Sequence, residues 1–99
     1  MSLGQAWARS ERIVGRRIGD ELVLVPLAGR GADLDSIYSL NRVAAFVWER
    51  LDGGTTGEAV VDALVGRFEV DRERAAADYL ELLETLRDLS AVECRREEG

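Results

Sequence analysis

Apolar residues first crowd together between Arg12 and Leu27, in "RIVGRRIGDELVLVPL". The pattern predicts two strands joined by a turn at Gly19-Asp20, because glycine supplies positive φ and aspartate tolerates it. Leu22, Val23, Leu24, Val25 and Leu27 form a nearly continuous apolar run, the pattern of a strand covered on both faces. Pro26 has no N–H to give to a ladder, so it belongs at the strand's end or on an edge. The next eight residues, "AGRGADLD", carry two glycines and two aspartates and read as a loop. "SIYSL" (36–40) is then short enough for a third strand. Residues before Arg12 show no clear period and read as a loosely docked lead-in.

After Leu40 the period changes from two to about 3.6. Asn41 is placed to cap a helix, its side-chain oxygen accepting from a first-turn N–H. Val43, Phe46, Val47 and Leu51 share one stripe, with Trp48 beside it, and Gly53-Gly54 is expected to end the helix. Thr55 or Thr56 can cap a second helix with Val60, Val61, Leu64, Val65 and Phe68 on its apolar face. With Thr55 as cap, Glu58 would complete a capping box. Asp71 caps a third, in which Ala75, Tyr79, Leu82, Leu83, Leu86 and Leu89 recur at three- and four-residue steps. The expected fold is α+β and winged helix-turn-helix-like: a three-stranded antiparallel sheet followed by three helices. The expected division is a flexible lead-in at 1–11, one domain at 12–92 and a charged tail at 93–99. DNA binders and protein-binding modules share this plan, so the fold alone does not choose a function.

Composition narrows the chemistry. The 99 residues include no histidine and no lysine; all thirteen basic residues are arginine. Ser-His-Asp and Cys-His catalysis, the common zinc sites, a P-loop lysine and a Schiff base therefore lack their central residues. Arginine stays protonated and is a poor proton shuttle. Cys94 is the single thiol, so no internal disulfide exists, and it reads as a free thiol near a frayed end. These features predict a chain that is not an enzyme and that carries no cofactor and no metal.

No run approaches the roughly 18 apolar residues of a spanning helix, and the N-terminus lacks a secretory layout, so a cytoplasmic location is expected without membrane contact. A net charge of −6 argues against nucleic acid, which demands a basic footprint, although a local arginine patch is compatible with it.

The stretch "IYSLNRVAAFVWERLDGGTT" resembles the "Y-x-L-N-x-x-(G/A)-A-x-(I/V)-W-x-x-L-D-G" segment of the PqqD-like family. The matching residues are Tyr38, Leu40, Asn41, Ala44, Ala45, Val47, Trp48, Leu51, Asp52 and Gly53. Downstream, "TTGEAVVDALVGRFEVDRERAAADYLELLETLRDLSAV" is similar to that family's second and third helices, so the resemblance covers about residues 12–92. Members are recognition elements, or peptide chaperones, for ribosomally made, post-translationally modified peptides. The resemblance implies that a precursor's leader segment docks as an extra strand on the third strand, in a groove floored by the third helix. The captured peptide is then presented to a modifying enzyme, a radical SAM protein, or to a leader protease. Members that serve pyrroloquinoline quinone assembly carry a Pro-Glu-Gly-type turn before the third strand. The longer "PLAGRGADLDS" here points to another peptide-modifying pathway.

An open edge strand leaves N–H and C=O groups that an extended peptide can satisfy, so the mode is physically sound. Most of the quoted motif is expected to build the core or the caps. The peptide contacts are expected from Asp35, Ser36, Ile37, Tyr38 and Ser39 on the third strand and from Asp78, Leu82, Thr85 and Leu89 along one flank of the third helix. Glu81, Glu84, Arg87 and Asp88 read as a solvated face, and an acidic groove would favour a basic leader. Two alternatives stay open at this level: a winged-helix DNA-binding regulator, and an assembly subunit of a larger enzyme or a homodimer.

Overall fold

The computed structural model describes residues 3–26 and 38–96. Its elements in order are strands β1 (Ala6–Arg9), β2 (Ile13–Ile18), β3 (Glu21–Pro26) and β4 (Tyr38–Leu40), then helix α1 (Arg42–Glu49) and strand β5 (Asp52–Thr56). Helices α2 (Gly57–Arg67) and α3 (Arg72–Asp88) and strand β6 (Val92–Arg96) complete the chain. The α+β architecture expected from the pattern is present: β2-β3-β4 is a three-stranded antiparallel sheet, and three helices follow.

β2 and β3 form a hairpin in register from Ile13↔Pro26 to Ile18↔Glu21. Gly19, with φ +64, takes the positive-φ position of the two-residue turn. Leu22 and Leu24 are buried whereas Val23 and Val25 are half-buried, so β3 is fully covered on one face only, a correction to the continuous-run reading. β4 pairs with β3 through Leu24↔Tyr38 and Leu22↔Leu40 and lies at the sheet's edge.

A second sheet, β5-β1-β6, is not visible in the sequence pattern. Part of the expected lead-in is its central strand, with Ala6, Trp7 and Ala8 all buried. The segment is held because it satisfies groups that other elements leave exposed. The carbonyls of Leu3 and Gln5 accept from the N–H groups of Glu58 and Gly57, the orphan donors of the first turn of α2. Residues 93–96, expected in the charged tail, continue β6 and pair with β1, Trp7 opposite Cys94.

Each helix begins on a side-chain cap. Asn41 Oδ1 accepts from the Ala44 N–H at 2.8 Å, Thr56 Oγ1 from Ala59 at 3.3 Å and Asp71 Oδ1 from Arg74 at 2.8 Å. The capping box on Thr55 does not form, because Thr56 is the cap. The glycine cap expected for α1 is also replaced: the helix stops at Glu49, with Arg50 at its C-cap. Gly53 instead turns the start of β5 with φ +85. There Asp52 Oδ1 accepts from the N–H groups of Gly54 and Thr55, and Oδ2 accepts from the Thr55 hydroxyl. Those bonds, the Gly54 N–H foremost, hold the Asp52 carboxyl below its ordinary pKa.

The core lies between the β2-β3-β4 sheet and the helices, built on Leu40, Val47, Leu51, Leu64, Tyr79, Leu83 and Leu86, each almost fully buried. Truncating one such leucine to alanine costs on the order of 2–5 kcal/mol. Trp48, 4 % exposed, belongs to this core and packs on the backbone of β2, where a Cβ on Gly15 would stand 2.9 Å from its Nε1.

Candidate functional site

The groove runs between β4 and α3. It is positioned by two local decisions of the chain: the Asn41 cap, which turns β4 directly into α1, and the long α3, which lies across the helical layer. The cavity has a volume of about 320 Å³. Tyr38, Ser39 and Leu40 form one wall and Asp78, Glu81, Leu82 and Thr85 the other, with Val43, Ala44, Val47 and Leu64 as an apolar floor between them.

Five of the nine expected contact residues, Tyr38, Ser39, Asp78, Leu82 and Thr85, come together here. Leu89 does not line the groove: it is the C-cap of α3 and 39 % exposed at the helix end. Asp35, Ser36 and Ile37 lie outside the described residues. Glu81 is exposed, as expected of a solvated face, and also lines the groove, one helical turn from both Asp78 and Thr85. Val43 and Val47 were legible only as part of a core stripe and Ala44 only as a match to the family motif; all three line the groove, whereas Phe46 of the same stripe does not. Asn41 reaches it beside its capping role.

β4 is three residues long and pairs with β3 on one side; among the described residues no strand pairs with its other side. An edge of that length offers roughly 10 Å of extended backbone at about 3.3 Å per residue. The Ser39 hydroxyl donates to Glu21 Oε1 at 3.0 Å and so is held toward β3. On the opposite wall Arg74 Nε sits 3.4 Å from Asp78 Oδ2, an exposed pair of little net worth that a ligand can displace. No such pair occupies Glu81 among the described residues. The groove thus joins three features: a backbone edge for pairing, an apolar floor for a side chain, and two carboxylates on the far wall.

Tyr79 also lines the groove but is only 1 % exposed, and burial, with Cys94 as a lesser cause, pushes its phenol up to about 12. Among the described residues no three His, Cys, Asp or Glu side chains converge in a way that could hold a metal ion, and no helix is long and apolar enough to cross a membrane. The arrangement can hold an extended chain by backbone and side-chain contacts.

Comparison with solved structures gives two chains of the same fold. One, "TbiB1 in Complex with the TbiA(beta) Leader Peptide", is 28 % identical, with a TM-score of 0.72 over 87 % of this chain and 94 % of that one. The other, "Lasso peptide synthetase B1 complexed with the leader peptide", is 24 % identical, with a TM-score of 0.74 over 89 % of this chain and 98 % of that one. No curated protein is significantly similar to the chain. The family model described as coenzyme PQQ synthesis protein D matches residues 21–92, from the start of β3 to the start of β6. The chain belongs to the PqqD family.

Proposed function

We propose that this protein is a non-catalytic module that captures the leader segment of a ribosomally made precursor peptide and presents it to a modifying enzyme, either a radical SAM enzyme or a leader protease. The single observation that carries this reading is the edge of β4, unpaired among the described residues, running along a groove with an apolar floor. Its support from outside the chain is that TbiB1, 28 % identical over nearly its whole length, forms a complex with a leader peptide.

The proposed mechanism is strand addition. The leader enters extended and its backbone satisfies the outward N–H and C=O groups of β4. Alternate side chains then point into the groove and away from it. An inward apolar residue rests on Val43, Ala44, Val47, Leu64 and Leu82. A basic residue beside it meets Asp78 and Glu81, which raises the encounter rate and rejects acidic sequences. The chemistry of modification falls to the partner enzyme, in keeping with a chain that has neither histidine nor lysine.

The test is a calorimetric titration of the leader peptide, taken from the precursor of the same biosynthetic cluster, into wild-type protein and Leu82→Glu. Leu82 is half-buried on the groove wall, so the charge enters the groove while the fully buried Leu83 and Leu86 keep the core. Loss of affinity on the order of tenfold or more is expected, the size of a well-packed contact residue. Equal affinity in a variant with the wild-type circular dichroism spectrum contradicts the proposal.

A further inference from the structure

α1 borders two separate concavities. Val43, Ala44 and Val47 turn toward the leader groove, whereas Arg42, Phe46 and Arg50 face a second concavity of about 300 Å³. Its other walls are Arg17 and Asp20 around the β2–β3 turn, Glu49 on α1, and Arg67 and Phe68 at the end of α2. A chain with a net charge of −6 gathers four of its thirteen arginines at this one place. Only two carboxylates accompany them, and Glu49 is already paired with Arg17. Arg42 and Arg67 have no ion-pair partner among the described residues.

The patch is also braced. The Phe46 and Phe68 rings meet edge to face at 5.4 Å and 84°. Arg50 Cζ stands 3.5 Å over the Phe46 ring while its guanidinium donates to the Phe46 carbonyl, and Arg67 Cζ stands 5.1 Å over Phe68. Stacking holds these planar cations in place before any partner arrives, so less side-chain freedom is lost on binding. Arginine and phenylalanine are enriched in protein interfaces, and arginine, with tryptophan and tyrosine, at their energetic centres.

We propose that this arginine-phenylalanine face is the docking surface for an acidic patch on the enzyme that receives the leader. The inference rests on the presentation role proposed above, which requires a contact with the enzyme outside the groove. Charge complementarity selects the occupant. A nucleic acid suits the site less well, because Arg50 and Arg67 already lie over the phenylalanine faces on which bases would stack and the remainder of the chain carries net negative charge that repels phosphate. A second copy of the chain would bring acidic walls of its own, Asp78 and Glu81, but those belong to the leader groove.

The test uses the full chain carrying Arg42→Glu and Arg67→Glu, both exposed positions, with Arg42→Lys and Arg67→Lys as the charge-keeping control. Its probes are the purified modifying enzyme of the same biosynthetic cluster and, separately, the leader peptide. Enzyme affinity is expected to fall on the order of tenfold or more in the glutamate variant and by less in the lysine variant, and wild-type binding should weaken with salt. Leader affinity should stay within about twofold, as expected for residues outside the groove. Unchanged enzyme affinity overturns the proposal, as does an equal loss of leader affinity. A wild-type dimer that the glutamate variant dissociates while enzyme affinity holds would assign the face to self-association, and tighter binding of an oligonucleotide than of the enzyme would assign it to nucleic acid. Failure of the wild-type chain to bind the leader would count against the presentation role alone, since the enzyme contact is read independently.

Discussion

Gly57, the first residue of α2, lies directly against the ring of Tyr79 on α3. A Cβ at Gly57 would stand 2.7 Å from Tyr79 Cε2 and 3.1 Å from both the Cα and the carbonyl oxygen of Leu3. The close approach joins the N-terminal segment, α2 and α3, and only glycine leaves room for it. Gly57→Ala should therefore destabilise the protein even though alanine is the better helix former by about 1 kcal/mol. Overpacking against a buried ring and fixed backbone costs about 1–3 kcal/mol. Urea denaturation should show a lower midpoint, and a variant as stable as the wild type would mean that the contact yields freely.

Ser90 is the one non-glycine residue with positive φ among those described, at +58. It ends α3 in a Schellman arrangement: the Ala91 N–H donates to the Leu86 carbonyl at 2.8 Å and the Ser90 N–H to Arg87 at 2.9 Å. The left-handed conformation is costly for serine and free for glycine, offset in part by glycine's greater freedom when unfolded. Ser90→Gly is expected to raise stability by about 0.5–1 kcal/mol, seen as a higher urea midpoint at unchanged slope. A fall in midpoint would show that the Ser90 side chain makes a contact worth more than the backbone strain.

Tyr79 carries a buried hydroxyl with no hydrogen-bond partner among the described residues. Leaving such a group unpaired costs about 1–3 kcal/mol, so Tyr79→Phe should be at least as stable as wild type at neutral pH. The pH dependence has a definite sign. A phenol whose pKa rises from 10.0 to about 12 on folding favours the folded state below pH 10, and this contribution is lost as pH climbs from about 10 to about 12. Thermal melts across that window should fall for wild type and fall less for Tyr79→Phe. Parallel curves would place the alkaline sensitivity elsewhere.

What the sequence made legible follows the range of the interactions. The Asn41 and Asp71 caps and the Gly19 turn are local, each decided by one residue and its neighbours, and all three are where the pattern places them. β4 was legible too, because a short alternating segment stands next to a capping residue. The β5-β1-β6 sheet was not. "AWAR", "DGGTT" and "VECRR" carry no common alternation, and each becomes a strand only because distant segments meet it: Ala6 pairs with Thr56 and Trp7 with Cys94. The groove was half legible. The flank of α3 carrying Asp78, Leu82 and Thr85 follows from helical spacing, but which residues beside it reach the groove depends on tertiary packing: Glu81, though exposed, lines it, and Leu89 at the helix end does not.

Strand addition to β4 is most directly tested by amide hydrogen exchange of Tyr38–Leu40 with and without saturating leader peptide. Amides that an added strand covers exchange only when the complex opens, so their protection reports the new ladder itself. The account predicts that outward amides of β4 gain protection, together with slower exchange in the segment of α3 around Leu82, while β6 is unchanged. A leader that binds yet leaves β4 exchange unaltered, or protects β6 instead, would contradict it.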